Sequence, residues 1–352
     1  MNISFLNQNI YWIFFSAIVV LIIIGITANK FLPYFLQSSF YILGYYWLAA
    51  LSYFIISIII FNVILFLNDI MHFYEGLNNS PVFYDLFIAS VIVITMILLI
   101  YGTLNGKKLK IKTYNIAIPK KETVLKELNM VMVSDIHISN INDKRQNKII
   151  NNINNLNPDI VFIVGDILDD VTPFVEHKMI DDFRNINSKY GVYACFGNHD
   201  YLSGDLSYIT NRLNESKVNV LRDSVVEIAN SFYVIGREDK SYEMISKQKR
   251  EKLSNLIQGT NSKLPIIMLD HQPINISESK DAGVDLQLSG HTHRGQFFPF
   301  NLITDKLFKI HYGYLKTGKL QVIVSCGAGT WGPPIRIGST SEVVNILVEF
   351  QD

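Results

Sequence analysis

Five short polar segments hold most of the side chains in this chain that could bind a metal. They read Ser134-Asp135-Ile136-His137, Gly165-Asp166, Gly197-Asn198-His199-Asp200, Asp270-His271-Gln272-Pro273 and Gly290-His291-Thr292-His293. Five of the eight histidines, His137, His199, His271, His291 and His293, fall inside them, while His72, His177 and His311 do not. Taken singly, each segment is weak. Asp-x-His also describes a turn with a capping carboxylate, Gly-Asp is weaker still, and only His-x-His after a strand stands out. Taken in order, they offer oxygen and nitrogen ligands enough for two divalent ions, a device for hydrolysing phosphate esters.

Such ligands need rigid elements to bring them to one place, and almost every segment follows an apolar, strand-like run. Met130–Ser134 leads to Asp135, Ile160–Val164 to Asp166, Gly191–Phe196 to Asn198, Leu264–Leu269 to Asp270 and His271, and Val284–Leu288 to Gly290. Ligand sites in α/β sheets gather at the carboxyl ends of strands. Ile160–Val164 is apolar throughout, as a strand covered on both faces must be. Helices are expected at Lys144–Leu156, with its Ile149, Ile150, Ile153 stripe, and at Val175–Asn185, Leu206–Glu215 and Tyr242–Ile257. A first strand is expected at Leu109–Ile118, a hairpin from Val218–Ile228 and Ser231–Ile235 around Ala229-Asn230, and later strands at Leu320–Ser325 and Glu342–Phe350. This alternation implies an α/β domain of two sheets packed between helices.

The ordered set resembles the calcineurin-like metallophosphoesterase superfamily, over roughly Asn129 to Val348. Closer likeness is to its membrane-anchored bacterial branch, through the Asp135-Ile136-His137 segment, His271-Gln272-Pro273, His291-Thr292-His293-Arg294-Gly295-Gln296 and Gly327–Arg336 with its Trp-Gly-Pro-Pro-Ile-Arg run. Arg294 departs from that branch, which often has Gly there. The resemblance implies one metal on Asp135, His137, Asp166 and His293, and a second on Asp166, Asn198, His271 and His291, with Asp166 shared. The ligand types suit Mn, Fe or Zn. In such a centre a hydroxide between metals about 3.5–4 Å apart attacks phosphorus in line. His199 is then the candidate for binding the phosphate or protonating the leaving oxygen, and Asp200 for orienting His199. Arg294, Trp331 and Arg336 are candidate substrate contacts, with Arg222 and Arg237 as candidates for a specificity cap.

The remaining sequence divides at about residue 105. Of 31 basic and 31 acidic residues, only Lys30, Asp69, Glu75 and Asp85 precede position 106. The balance gives no support for a nucleic-acid partner, and nothing requires a protein partner. Ile10–Thr27, Phe40–Leu67 and Leu86–Tyr101 are apolar enough for three membrane spans, the third marginal in length. Residues 1–105 therefore form a membrane domain and 106–352 the catalytic domain. Lys107, Lys108, Lys110 and Lys112 follow the third span, which places the catalytic domain in the cytoplasm. Cys195 and Cys326 are expected to be buried thiols, not a disulfide or a zinc pair.

The expected function is thus a multi-pass, membrane-anchored phosphoesterase acting on a phosphodiester, phosphomonoester or pyrophosphate bond. Its location favours a lipid-linked substrate. A catalytically silent receptor or scaffold is the alternative, and the complete ligand set argues against it. A transporter is disfavoured by spans with almost no charge.

Overall fold

The computed structural model describes residues 34–119, 122–138, 143–169 and 179–351, with isolated positions between 13 and 20. The first expected span, Ile10–Thr27, therefore lies almost wholly outside the described residues.

Two long helices form the N-terminal unit, α1 (Tyr34–Met71) and α2 (Pro81–Gly106). Within them Ile42–Met71 and Pro81–Gly106 are long and apolar enough to cross a membrane, with mean hydropathies of 2.6 and 2.5. The marginal third span is thus a full 26-residue helix, because Pro81 begins it earlier than the apolar run suggests. Proline suits the first turn, where its missing N–H costs nothing.

The second unit runs from Gly106 to Trp331 and from Arg336 onwards. Its first sheet has the order β1 (Lys110–Pro119), β12 (Glu342–Gln351), β2 (Glu127–Val133), β3 (Ile160–Val164), β4 (Val192–Cys195), β5 (Val218–Val220). Its second has the order β10 (Gly313–Thr317), β11 (Leu320–Val324), β9 (Leu286–Ser289), β8 (Ile266–Leu269), β7 (Phe232–Gly236), β6 (Ser224–Ile228). β2 to β5 are mutually parallel, as are β7, β8, β9 and β11. Each parallel set brings its carboxyl ends to one edge.

Packing follows from which strand faces are apolar. Met130, Met132, Phe162 and Val164 of the first sheet share a core with Val234, Ile267, Leu286, Leu288 and Ile323 of the second. The outer face of the first sheet, with Val131 and Ile163, packs on Ile149, Ile150 and Ile153 of α3 (Asp143–Asn155) and on Ile209 and Leu213 of α4 (Leu206–Glu215). Asp205 caps α4 by accepting from the backbone N–H of Ser207 and Tyr208. Leu253 of α6 (Leu253–Ile257) and Ile276 of α7 (Ile276–Asp281) cover the outer face of the second sheet. The layers are the expected helix, sheet, sheet, helix. Cys195 and Cys326 are both buried and free.

Three local expectations change. Tyr242–Ile257 is two short helices, α5 (Ser241–Ser246) and α6 (Leu253–Ile257), because Lys247 turns left-handed at φ 58°. The expected hairpin keeps only β6 and β7, since β5 pairs with β4 in the other sheet. Of the expected helix Val175–Asn185, residues 175–178 lie outside the described residues, 179–182 are helical, and Phe183–Asn185 closes it as a tighter 3-10 turn. Two elements carry no strong apolar signal and were not expected from the sequence. They are α7 (Ile276–Asp281) and α8 (Phe300–Leu307), and the edge strand β10 was likewise unexpected.

Candidate metal centre

The five polar segments meet at the shared strand edge. Asp135 and His137 follow β2, Asp166 follows β3, and Asn198 and His199 follow β4. His271 follows β8, and His291 and His293 follow β9. Asp135, His137, Asp166, His291 and His293 all adopt left-handed backbone, with φ between 48° and 72°. Non-glycine residues in that region cost about 1–3 kcal/mol each and persist where surrounding structure enforces them, typically at functional sites. Two glycines permit the close approach. A Cβ on Gly165, itself at φ 73°, would strike the His271 ring, and one on Gly290 would strike the Asp135 carboxylate.

Three clusters result among the described residues, one of them His137, Asp169 and His199. In the other two, one ligand atom from each of Asp135, His137 and His293 lies within 4.8 Å of the others, and the same holds for Asp166, His271 and His291. Asp166 stands between them: its Oδ2 is 3.1 Å from His271 Nε2 and 3.9 Å from His137 Nε2. Asn198 joins the second cluster, with Oδ1 2.8 Å from His291 Nδ1.

Hydrogen bonding shows what these atoms await. His271 Nδ1 is 2.8 Å from the Val164 carbonyl, which can only accept, so that nitrogen carries the proton. In the neutral ring Nε2 would then present a lone pair to the Asp166 carboxylate oxygen 3.1 Å away, which is repulsive. A cation must lie between them. Without a metal it is a proton: burial opposes charge on His271, but Asp166 outweighs it and holds its pKa well above the ordinary value. His137 is similar, its Nδ1 donating to Asp169 Oδ1 at 2.6 Å. Burial opposes its protonation too, yet Asp169, then Asp166 and Asp135, raise it to about 9. Its Nε2 faces His293 Nε2 at 3.0 Å. These residues fit two divalent ions by donor type, burial and mutual closeness.

Asp169 is the site residue that sequence reading missed. Its Oδ1 lies 2.6 Å from His137 Nδ1 and 3.3 Å from His199 Nδ1. One carboxylate thus fixes the tautomer of a candidate ligand and of the candidate acid. The signal was its place three residues after Asp166, on the same loop. Replacing Asp169→Asn should lower metal affinity or turnover by about 10–100-fold, the usual scale for a residue orienting a metal-binding histidine. Metal titration by calorimetry beside steady-state rates would check this, and wild-type values in both would remove the role.

Several expected roles are corrected. Asp200 does not orient His199. It is buried, and its carboxylate accepts from the backbone N–H of Ile167, Leu168 and Gly197, pinning the loops that carry Asp166 and Asn198. Burial, then the Asp166 charge, raises its pKa to about 7. Arg336 is no substrate contact. It is fully buried and donates to the Gly329 carbonyl at 2.7 Å, with Nη2 3.2 Å from His293 Nδ1. Its guanidinium only donates, so His293 Nδ1 is the acceptor of that contact. Arg237 is also buried, paired with Asp223 at 3.2 Å, and Arg222 pairs with Glu238 at 2.8 Å. Arg294 lies over the Tyr312 ring at 4.8 Å. Trp331 alone of the candidate substrate contacts is exposed beside the site, its ring 6.0 Å from that of His199.

Residues 128–295 match the family model for calcineurin-like phosphoesterases, a stretch containing every candidate metal ligand. An uncharacterized metallophosphoesterase of Campylobacter jejuni is 31% identical over 72% of this chain and 67% of its own length. A transmembrane protein with a metallophosphoesterase domain from Danio rerio is 28% identical over 73% of this chain and 62% of its own. An uncharacterized metallophosphoesterase of Aquifex aeolicus is 29% identical over 73% of this chain and 98% of its own. The chain thus spans about two thirds or less of the length of the first two relatives.

Proposed function

The chain belongs to the calcineurin-like metallophosphoesterase family, and from that premise we propose that it is a membrane-anchored phosphoesterase dependent on two divalent metal ions. The observation that carries this reading is the pair of ligand clusters joined by Asp166, with buried imidazole nitrogens turned towards the Asp166 and Asp135 carboxylates. Asp135, His137, Asp166 and His293 would hold one ion, and Asp166, Asn198, His271 and His291 the other. Bound there, Mn, Fe or Zn would supply charge neutralisation to the phosphoryl oxygens and acidity to the attacking water. The protein's own part is to hold these ligands rigidly, to keep His199 facing the reacting phosphate through Asp169, and to offer Trp331 as an apolar wall.

Two membrane-length helices favour a substrate presented at a bilayer, such as a phospholipid or lipid-linked pyrophosphate. Lys107, Lys108, Lys110 and Lys112, directly after α2, favour a cytoplasmic catalytic domain. The full chain, purified in detergent and loaded with Mn, should hydrolyse bis(p-nitrophenyl) phosphate, p-nitrophenyl phosphate or both, and a chelator should stop it. The ratio of rates would assign diester or monoester chemistry. A metal-loaded chain inert towards both, and towards lipid pyrophosphates, would overturn the reading.

A further inference from the structure

Helix α8 (Phe300–Leu307) is amphipathic in the wrong sense for a soluble domain. At 100° per residue, Leu302, Ile303 and Leu307 share one side, with Lys306 between them, and Asn301, Thr304 and Asp305 share the other. On the polar side Asn301 and Thr304 face the protein, while Asp305 is exposed to water. Thr304 Oγ1 lies 2.9 Å from His311 Nδ1, Asn301 Oδ1 is buried, and the backbone of Asn301 sits where a Cβ on Gly295 would be. The apolar side is turned outward: Leu302, Ile303 and Leu307 are 54%, 53% and 71% exposed, and no residue of the helix is buried. Hydrophobic burial cannot be what holds this helix in water.

The apolar surface extends towards the metal centre. Phe298 and Trp331 are each about half exposed. Both amide atoms of Gln296 bond the backbone of Trp331, which ties that residue to the segment leading from His293 into α8. At the other end of the helix the Phe308 ring is 6.0 Å from that of His291.

We propose that the outer face of α8, with Phe298 and Trp331, lies in the interface of the bilayer that the chain's own helices cross, so that the metal centre opens beside the headgroups. Three observations favour a bilayer over another occupant. The chain carries two membrane-length helices, the second separated from β1 by only three residues. Lys306 sits amid the apolar side and Lys309 just beyond it, where aliphatic stems can lie along the apolar surface and ammonium groups can reach anionic phosphates. Thr304 and the backbone of Asn301 meet the domain, whereas the apolar side is without cover among the described residues.

The test uses the full chain in phosphatidylcholine–phosphatidylglycerol nanodiscs with brominated acyl chains. Bimane would be attached at L302C, I303C or, on the polar side, D305C. Cys195 and Cys326 are buried, and the unsubstituted chain serves as the labelling blank. An interfacial helix buries its apolar face by about 5–10 Å, so L302C and I303C should each lose about half their fluorescence, with D305C little changed. Equal quenching at all three positions would overturn the proposal. So would protection of 302 and 303 from both bromolipid and aqueous iodide, which would mean that protein covers the face. No turnover is read, so this failure would be distinct from failure of the phosphoesterase reading.

Discussion

Asp166→Asn should lose bound metal and roughly 10³-fold or more in turnover, the scale of removing a group on which the whole centre depends. The substitution keeps shape and removes charge. Asp166 Oδ1 would still accept from the His199 backbone N–H, now 2.8 Å away, so the loop is expected to stay in place. What disappears is the anion between the two clusters. Burial works against its charge, and the neighbouring His271 and His137 outweigh that, holding its pKa far below the carboxylate range. Two cations need at least one shared anion to lie close together, and a neutral amide cannot take that place. Metal content by mass spectrometry should fall from two per chain towards one or none. The metal-free variant gives a second reading: without Asp166, His271 loses the partner that raises its pKa, and its titration by NMR should move down. Two retained metals with wild-type turnover would remove the bridging role.

The strand edge and its ligands were legible because both obey local rules. Apolar runs such as Ile160–Val164 mark buried strands, and the metal-competent residues follow them directly. What pairs with what across the two sheets was not legible, and roles set by tertiary contacts were misread for that reason. Asp200 adjoins His199 in sequence, yet its oxygens are taken by backbone N–H groups from two loops. Arg336 looked like a substrate contact, yet it is enclosed against His293 and the Gly329 carbonyl. Short-range reading assigns a charged residue to its nearest neighbour in sequence, whereas desolvation forces a buried charge onto whatever partners surround it in space. Helix α8 escaped notice for a related cause. Its apolar residues are too few for a core stripe and belong to a surface, which periodicity alone cannot distinguish.

His199→Ala should separate chemistry from metal binding. The side chain is 23% exposed, and its Nδ1 is held 3.3 Å from Asp169. That contact directs Nε2 away from the carboxylate, and the ring centre stands 4.9 Å from that of His137, edge to face. It belongs to neither of the two candidate ligand clusters joined by Asp166. The variant should therefore keep both metals while losing about 10²–10⁴ in kcat, the range for a lost general acid. The loss should depend on the leaving group. p-Nitrophenolate departs without protonation, so bis(p-nitrophenyl) phosphate should suffer least, whereas a phenyl or alkyl ester, whose alcohol resembles tyrosine or is weaker still with a pKa of about 10 or above, should suffer most. Two other roles predict different patterns. Were His199 a ligand, metal content would fall with activity. Were it only a prop for the Asn198 loop, all esters would slow by the same factor, because a displaced ligand weakens the centre whatever leaves. A uniform loss with metals intact would instead assign His199 to binding the phosphate, and KM would rise with it.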